Sequence, residues 1–409
     1  MNSPPDVLAT LVARFDSGPF DAPGGRARIR LGVRGHGTWD ATVRGSRVRL
    51  SDAQPGRRPD AEIIGDPRAW ERLEADVGSA LEERAAGRLV FRGSLHVGVG
   101  FLAAVGGMRN GPESRLRLSR VRTRNGRLAI VEAGQGPPVV MLHGLGGTKG
   151  SFMPTISALA PSHRAIAVDL PGFGDSDKPL PAAYDAPFFA RWVVGLLDAL
   201  DIERAHFLGH SMGGRVALEL GMSHADRVDS LTLMTPSLAW LRERRFAGYL
   251  RLLRPELGLL QVAPRSVVEA FVRRAVPGAN DGWAAVGVDE FLRAYLTPRG
   301  RVAFYAAARN IYLEESEEFW DRLAALSHRT LFLWGRRDTL VPIGFARHVR
   351  NVLPAAEHVE LDCGHVPQFE RPAQAHAAIA AFLRGAPVHG GRARSRAGRS
   401  ALRAQSGRG

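Results

Sequence analysis

The sequence predicts an α/β protein in which a doubly wound, mostly parallel sheet follows a small α+β unit. From about residue 119 onward, short apolar runs alternate with helical segments, as expected for parallel strands covered on both faces. Residues 1 to about 115 instead carry β-type runs separated by turns, and helical periodicity alone fills residues 237–325. Because single cores stop growing well below 409 residues, we expect more than one domain.

The composition is that of a globular protein rich in arginine. Apolar residues make up 45% and charged residues 23%, so most of the chain can bury enough surface to fold. The formal charge of +14 is the difference between 55 basic and 41 acidic residues, and only Lys149 and Lys178 among the basic residues are lysines. No aromatic-interleaved basic stripe accompanies this charge, so nucleic acid is not expected as a partner. Residues 386–409 are rich in arginine, lack acidic and most apolar residues, and are predicted to be disordered.

Cysteine content and hydropathy indicate the cellular setting. Cys363 is the only cysteine, so no intrachain disulfide can form and nothing favours an oxidising compartment. The N-terminal sequence lacks a basic region followed by an apolar core, and no apolar run approaches the ~18 residues of a membrane-spanning helix. We therefore expect a cytoplasmic protein without a transmembrane segment.

Residues 1–115 are predicted to form the α+β unit. Its β-type runs lie at 27–33, 39–43, 47–50 and 89–91. A turn centred on Gly45 is expected to join two of them as a hairpin. A helix is expected to begin where Asp66 can cap it and Pro67 suits its first position.

The prediction of a catalytic site begins with Gly209-His210-Ser211-Met212-Gly213. This sequence follows an apolar strand and opens a helical run, which is the context of a G-x-S-x-G nucleophile elbow. The turn strains the serine backbone and brings strand and helix close together, so glycines two residues to either side avoid a collision. Ser211 is therefore the predicted nucleophile.

A serine hydroxyl needs a base, and the base needs a carboxylate that holds its tautomer. Among 13 histidines we select His365, because it follows the last apolar run and so lies on the loop after the last strand. Asp338 follows the predicted strand 330–334 on a tight loop, which places it at the same edge of the sheet. The neighbouring Arg336 and Arg337 would favour its ionised form if they pointed toward it.

The predicted oxyanion hole follows the strand at 139–142, in the sequence HGLGG. Its glycines allow the amide of Leu145 to point, together with the amide of Met212, at the oxygen that becomes negative in the transition state. His143 and Asp169 are expected to be structural, with Asp169 shaping a neighbouring loop. These residues require neither a metal nor an organic cofactor.

Together these motifs resemble the α/β-hydrolase family. The sequences HGLGG, DLPGFGDS, GHSMGG, WGRRD and GHVPQFERP occur in the order and at the spacing typical of that family, within a unit that we place at residues 116–385. The resemblance implies a serine hydrolase of the esterase or lipase kind, with residues 237–325 as a helical lid over the carboxyl edge of the sheet. Serine at 211 argues against members that use aspartate there. His210 stands where many of the family's C–C bond hydrolases have asparagine.

The N-terminal unit resembles the sterol-carrier-protein type of lipid-binding domain. The resemblance is carried by DAEIIGDPRAW at 60–70 and GRLVFRGSL at 87–95. Members of that family enclose an apolar tunnel, so the resemblance implies an apolar ligand in residues 1–115 and a lipid-like substrate. The alternative is a small interaction or stabilising module.

The sequence thus predicts an enzyme that cleaves a carboxylic ester of a small molecule or lipid through an acyl-Ser211 intermediate. Acyl transfer to an alcohol and C–C bond hydrolysis are alternatives on the same fold. A non-catalytic lipid carrier is the alternative from another class, and the complete set of serine, aspartate and histidine argues against it.

Overall fold

Two β-sheets organise the chain. The computed structural model describes residues 4–17, 20, 25–54, 56–76, 79–106, 116–244, 249, 252, 254–260, 264–275, 282–311 and 316–386. The predicted disorder of the arginine-rich tail lies outside the described residues, except for residue 386. No helix in these described ranges is both long and apolar enough to cross a lipid bilayer.

The first sheet is built from residues before 107. Its strands are β1 Arg26–Val33, β2 Gly37–Arg44, β3 Arg47–Asp52, β4 Ala61–Gly65 and β5 Leu89–Gly93, and the accompanying helices are α1 Asp6–Ala13, α2 Pro67–Ala75, α3 Ala80–Ala85 and α4 Leu95–Val105. The strand order is β3-β2-β1-β4-β5, and only the pair β1 and β4 is parallel. All four predicted β-type runs are strands.

The predicted hairpin turn and the predicted start of a helix in this unit are both found at the expected residues. Gly45 has a φ of +58° in the hairpin between β2 and β3, a conformation that glycine adopts without strain. Helix α2 begins at Pro67, as expected. Asp66 occupies the N-cap position, but its side chain does not cap the helix. Its carboxylate instead pairs with Arg34 at 3.0 Å, because strand β1 brings that guanidinium alongside.

The second sheet has eight strands. They are β6 Arg117–Thr123, β7 Gly126–Ala133, β8 Pro138–Leu142, β9 Arg164–Val168, β10 Ala205–His210, β11 Val228–Met234, β12 Thr330–Gly335 and β13 Glu357–Leu361. The spatial order is β13-β12-β11-β10-β8-β9-β7-β6. The six strands from β13 to β9 are parallel to one another. Strand β7 is antiparallel to β9, and β6 is antiparallel to β7. This is the predicted mostly parallel sheet.

Helices connect these strands and cover the sheet. They are α5 Met153–Leu159, α6 Ala186–Ala199, α7 Met212–Ser223, α8 Trp240–Glu243, α9 Arg265–Ala275, α10 Gly282–Tyr295, α11 Pro298–Ile311, α12 Glu317–Ala324, α13 Ala346–Val352, α14 Pro367–Glu370 and α15 Pro372–Leu383. Helices α8 to α12, with a 3-10 helix at Pro255–Leu260, lie between the sixth and seventh strands of this sheet. We refer to residues 237–325 as the lid segment, the helical insertion that the sequence predicted.

The two faces of the second sheet carry different partners. Alternate residues of β8 point to opposite faces, so that Val140 packs in one core and Met141 in the other. The second of these cores is continuous with the interior of the N-terminal unit. A close contact between them lies at α4, where a Cβ added to Gly150 would stand 2.4 Å from Leu95 Cδ2. Residues before 107 are therefore packed against the sheet that carries the site.

Candidate active site

The three side chains predicted as catalytic lie at one edge of the second sheet. Ser211 directly follows β10, Asp338 lies on the loop after β12, and His365 lies on the loop after β13. These strands are parallel, and their order in the sheet is β13-β12-β11-β10. Loops that follow parallel strands emerge at the same carboxyl edge, where ligands bind in open α/β sheets.

Ser211 sits on a sharp turn between β10 and α7. Its backbone has φ +52° and ψ −115°, outside the regions that an L-residue adopts without strain. A Cβ on Gly213 would lie 1.9 Å from the carbonyl oxygen of Leu142, and one on Gly209 would lie 2.4 Å from the carbonyl oxygen of Gly213. The backbone therefore requires glycine at both positions, for the steric reason predicted from the sequence.

Asp338 and His365 are hydrogen-bonded to each other. Nδ1 of His365 lies 2.7 Å from Oδ2 of Asp338. The other oxygen, Oδ1, accepts from the amides of Leu340 at 2.8 Å and Val341 at 2.9 Å. Because a carboxylate can only accept, Nδ1 of the imidazole carries the hydrogen and Nε2 is the basic nitrogen of the neutral ring.

The two arginines beside Asp338 do not point at it. Nε of Arg336 lies 3.5 Å from Oε2 of Glu360, and Nε of Arg337 lies 3.1 Å from Oδ1 of Asp362. Both guanidiniums thus pair with acids that precede His365 along the chain. The condition under which they would favour the ionised form of Asp338 is therefore not met, because these acids hold both guanidiniums.

The loops that carry the acid and the base are packed backbone to backbone. A Cβ added to Gly335 would lie 2.0 Å from the carbonyl oxygen of Gly364. The amide of Arg336 donates to the carbonyl of Leu361, and the amide of Arg337 donates to that of Cys363, each at 2.9 Å. These bonds fix the separation of the two loops, which the Asp338 to His365 hydrogen bond requires.

Two residues that the sequence analysis did not assign hold the backbone of His365. Nε2 of His210 donates to the carbonyl oxygen of His365 at 2.8 Å, and the hydroxyl of Thr235 donates to the same oxygen at 2.9 Å. Burial, with a smaller effect of His365, lowers the pKa of His210 to about 3, so its imidazole is neutral at ordinary pH. The residue before the nucleophile therefore anchors the base loop.

The hydroxyl of Ser211 has a neighbouring hydroxyl as its partner. Oγ of Ser211 lies 3.2 Å from Oγ of Ser237, and the amide of Ser237 donates to the carbonyl of Ser211 at 3.1 Å. Ser237 is fully buried, at the start of the lid segment. Sequence reasoning missed this residue because a serine after a strand carries no motif.

The predicted oxyanion-hole residues flank the nucleophile. A Cβ on Gly144 would lie 3.1 Å from Cβ of Ser211, so the loop that carries Leu145 runs directly beside the serine. Met212 is the first residue of α7, where amides have no partner within the helix. Neither the amide of Leu145 nor that of Met212 donates a hydrogen bond to any described residue. Both remain available to an oxygen of a substrate.

Aromatic side chains of the lid segment cover this loop. Gly146 has a φ of +75°, and a Cβ there would lie 2.9 Å from Phe291 of α10 and 3.4 Å from Phe304 of α11. The rings of Phe291 and Phe304 pack edge to face with centroids 5.5 Å apart. The lid therefore presents an apolar, aromatic surface to the loop of the predicted oxyanion hole.

A buried cluster of charged side chains lies next to the loop of the predicted oxyanion hole. Nζ of Lys149 lies 2.6 Å from Oδ2 of Asp169 and 3.0 Å from Oδ2 of Asp175. Asp175 also pairs with Arg293 of α10 at 2.8 Å, and Nδ1 of His96 from α4 lies 3.8 Å away. The cluster joins the N-terminal unit, the oxyanion loop and the lid.

The structural roles predicted for His143 and Asp169 are confirmed. Nε2 of His143 accepts from the amide of Leu170 at 3.0 Å, and Oδ1 of Asp169 accepts from the amide of Lys149 at 2.7 Å. Lys149 itself was missed. The available signal was its rarity, since it is one of two lysines in an arginine-rich chain. Among the described residues, no group of three or more His, Cys, Asp or Glu side chains is arranged to hold a metal ion.

Comparison with known proteins identifies the family of the part of the chain that forms the second sheet. The family model for the alpha/beta hydrolase fold matches residues 137–372, which is more than half of the chain. The chain belongs to the α/β-hydrolase family. The part that matches includes Ser211, Asp338 and His365.

Relatives with named activities include hydrolases of more than one kind and an acetyltransferase component of an acetoin cleaving system. The chain is 30% identical over 290 residues to a 2-hydroxymuconate semialdehyde hydrolase of Pseudomonas sp., covering 67% of this chain and 96% of the relative. It is 29% identical to a pimeloyl-[acyl-carrier protein] methyl ester esterase of Aeromonas hydrophila, covering 60% and 95%. A solved hydrolase from Pseudomonas aeruginosa superimposes with a TM-score of 0.52 at 27% identity, covering 65% of this chain and 98% of that one.

Proposed function

We propose that this protein is a serine hydrolase that cleaves a carboxylic ester through an acyl-Ser211 intermediate. The observation that carries the proposal is the 2.7 Å hydrogen bond between Asp338 and His365, at the same edge of the sheet as a strained Ser211 with φ +52°. An orienting carboxylate, an imidazole whose Nδ1 that carboxylate holds and a nucleophile on an elbow are the parts that acyl transfer needs.

The chemistry proceeds in two halves. Nε2 of His365 takes the proton of Ser211 while Oγ attacks the ester carbonyl, and the amides of Leu145 and Met212 stabilise the resulting oxyanion. The intermediate collapses to the acyl-serine, and His365 returns the proton to the departing alcohol. Water, activated by the same base, then releases the acid and restores the hydroxyl. Asp338 holds the imidazole throughout and stabilises its positive charge.

The resting hydroxyl must turn for this reaction. In the free enzyme Oγ of Ser211 bonds with Oγ of Ser237, so a substrate replaces that contact as the hydroxyl turns to His365. Contacts of a nucleophile with its base are often formed only in the complex with substrate. In this proposal Ser237 would lie near the reacting carbonyl and could bond to a polar atom of the substrate.

The substrate is proposed to be apolar. Phe291 and Phe304 press on the glycine of the oxyanion loop, and an acyl chain would lie against them. The resemblance of residues 1–115 to lipid carriers supports a lipid-like ester and an apolar ligand in that unit. Each methylene buried from water contributes roughly 0.8 kcal/mol, so activity should rise with acyl-chain length until the site is filled.

C–C bond hydrolysis is the second candidate. It is favoured by the 30% identity to a 2-hydroxymuconate semialdehyde hydrolase that aligns over nearly its whole length. His210, a neutral imidazole engaged with the base loop, stands where many such hydrolases have asparagine, and this favours the ester. Acyl transfer differs only in whether an alcohol or water accepts the acyl group.

Labelling with a fluorophosphonate tests the catalytic claim on the whole protein. Wild type should be labelled once and Ser211→Ala should not, while Ser237→Ala, which keeps the elbow, should still react. A protein that does not react would be a carrier without turnover, and labelling of Ser211→Ala would place the nucleophile elsewhere.

The substrate class is tested by measuring turnover of the purified enzyme. The substrates are p-nitrophenyl esters with acyl chains of two to sixteen carbons and a vinylogous 1,5-diketone acid. Ester turnover that rises with chain length supports the proposal. Turnover of the diketone at a kcat/KM far above that of every ester would replace it with C–C hydrolysis.

A further inference from the structure

The N-terminal unit touches two elements that lie beside the loop of the predicted oxyanion hole, residues 143–147. Strand β5 and helix α3 pack against α10 of the lid segment. Helix α10 also packs against the 3-10 helix Lys149–Phe152, which follows the oxyanion loop. Leu95 of α4 lies against Gly150 in that same 3-10 helix. The N-terminal unit, the lid segment and the oxyanion loop therefore meet at one junction.

An ion pair joins β5 to α10 at this junction. Nη1 of Arg92, in β5, lies 3.6 Å from Oδ2 of Asp289 in α10. The carboxylate of Asp289 is buried, and its Oδ1 lies 2.5 Å from Nη2 of Arg273 in α9. The charge of a buried carboxylate must be compensated by nearby cations. Asp289 has one such cation from the lid segment and one from the N-terminal unit.

A second ionic contact lies one turn further along α10. Arg293 follows Asp289 by four residues, so the two side chains share one face of the helix. Nη1 of Arg293 lies 2.8 Å from Oδ1 of Asp175, and Nδ1 of His96 in α4 lies 3.8 Å from the other oxygen of that carboxylate. Charged side chains thus hold one face of α10 at the junction with the N-terminal unit.

The opposite face of α10 is aromatic. Phe291 follows Asp289 by two residues, which is about 200° around the helix axis, and Tyr295 lies one turn further. The rings of Phe291 and Tyr295 stack with centroids 4.9 Å apart, and both pack edge to face on Phe304. Phe291 also lies against Gly146 of the oxyanion loop. A shift of the charged face of α10 would therefore move an aromatic surface over the oxyanion loop.

We propose that Arg92 is a positioning residue for the active site. By its pair with Asp289 it fixes α10, and it thereby sets where Phe291 stands over the oxyanion loop. The N-terminal unit thus helps to select the acyl chain without touching it. This consequence rests on the proposed ester hydrolysis, in which the acyl chain lies against Phe291. Loss of contact with one buried methylene corresponds to roughly a fourfold change in kcat/KM.

The alternative is an ion pair that stabilises the fold and has no effect on the site. Its removal would lower the melting temperature and leave the preference between long and short esters unchanged. The first sheet contains a matched pair for comparison. Buried Asp40 has two arginine partners, Arg30 at 2.9 Å and Arg28 at 3.4 Å, an arrangement like that of Asp289. All three of these residues lie in β1 and β2, within the N-terminal unit.

The test compares four full-length variants with wild type. Arg92→Met and Arg92→Gln remove the cation, Arg92→Lys keeps one, and Arg28→Met removes the corresponding partner of Asp40. The side chain of Arg92 is partly exposed and Arg273 remains beside Asp289, so the neutral variants should fold, which thermal unfolding verifies.

Two properties of each protein are measured. The first is kcat and KM for the butyrate and decanoate esters of p-nitrophenol. The second is hydrogen–deuterium exchange of peptides from α10 and from residues 143–150.

Both neutral variants at Arg92 should exchange faster than wild type in α10 and at residues 143–150. Their ratio of kcat/KM for decanoate to that for butyrate should fall by about fourfold or more, mainly through a higher KM for decanoate. Arg92→Lys and Arg28→Met should keep the wild-type ratio and exchange. An unchanged ratio or unchanged exchange in the neutral variants at Arg92 would overturn the proposal, as would an equal fall in Arg28→Met.

Hydrogen exchange reports on α10 whether or not an ester is turned over. A wild-type protein that neither hydrolyses esters nor reacts with a fluorophosphonate would contradict the proposed function, and exchange alone would then decide whether Arg92 positions α10. Ester hydrolysis with the same chain-length preference in all variants would leave the chemistry of Ser211 in place and would exclude the role of Arg92.

Discussion

Nε2 of His210 donates a 2.8 Å hydrogen bond to the backbone carbonyl of His365, across 155 residues of sequence. The centroids of the two rings are 5.0 Å apart. His210 immediately precedes the predicted nucleophile, so this bond ties the elbow to the loop of the base. The hydroxyl of Thr235 donates to the same carbonyl, and the two donors together fix where the imidazole of His365 can stand.

Removing this anchor should slow turnover without unfolding the protein. His210→Ala leaves one donor on the carbonyl of His365, and the loss of one buried hydrogen bond, about 1 to 2 kcal/mol, corresponds to roughly a tenfold fall in kcat. KM should change little, because His210 bonds to the loop of the base, whereas the acyl chain is proposed to lie against Phe291 and Phe304. Steady-state ester hydrolysis measures both. Thr235→Val should act similarly, and a His210→Ala enzyme with wild-type kcat would show that the anchor is dispensable.

Asp338→Asn should cost on the order of 10⁴ in kcat, because the amide presents the wrong partner to Nδ1 of His365. The amides of Leu340 and Val341 can still bond to the asparagine carbonyl, so the loop should keep its shape. A melting temperature close to that of wild type is the control. A nearly silent substitution would mean that another carboxylate orients the base.

Gly213→Ala should destabilise the protein by about 2 kcal/mol or more, because the new methyl would lie 1.9 Å from the carbonyl oxygen of Leu142. Gly344→Ala is the matched control, since the nearest atom to its Cβ is the end of Arg347 at 3.6 Å. Chemical denaturation measures both variants. Equal stability of the two would show that the elbow can open to admit a side chain.

Lys149→Met should destabilise the fold by about 3 to 5 kcal/mol, because it leaves the carboxylates of Asp169 and Asp175 buried without their shared cation. The matched control is Arg204→Met, which breaks an exposed pair with Asp229 and should cost at most about 1 kcal/mol. Losses of equal size in the two variants would contradict a special role for the buried cluster.

The buried charge cluster also predicts that the free energy of unfolding falls at acidic pH. Burial alone would raise the pKa of Asp175, but Lys149 and Arg293 outweigh it and hold the pKa well below its ordinary value of 3.8. A lowered carboxyl pKa contributes stability that is present above 3.8 and lost as pH falls through the folded value. Denaturation between pH 5 and pH 2.5 should therefore show a steeper loss for wild type than for Lys149→Met.

A second loss of stability should begin at milder acidity. Burial lowers the pKa of His376 to about 4 from an ordinary value of 6.5, so this side chain is neutral in the folded protein and charged in the unfolded chain at pH 5. The unfolded state then binds more protons, and the free energy of unfolding falls between pH 6.5 and about 4, by up to ~1.4 kcal/mol per pH unit for each such group.

The His376→Gln variant isolates this contribution. Its stability should fall less steeply between pH 6.5 and 5, and glutamine can still bond to Thr155, the partner of His376 at 3.1 Å. If the slopes of His376→Gln and wild type agree, the buried imidazole is not responsible.

The sequence predicted those features of the site that depend on the backbone conformation of a few neighbouring residues. The strand, turn and helix around Ser211 need glycines at fixed positions, and those glycines were visible. The side-chain directions of Arg336 and Arg337 were not visible, because two adjacent residues on a loop can face many ways. Their pairing with Glu360 and Asp362 is set by the strand that lies alongside.

By itself the sequence determined which residues could do chemistry, because an elbow, an acid loop and a base loop each follow a recognisable strand. Only the tertiary structure decided how they meet, since the 2.7 Å contact of Asp338 with His365 depends on the order of strands in the sheet. It also decided that the N-terminal unit shares a core with the sheet and that Lys149 lies among buried acids. Such contacts join residues far apart in the chain, and they are fixed by the simultaneous packing of all their neighbours, which no local pattern contains.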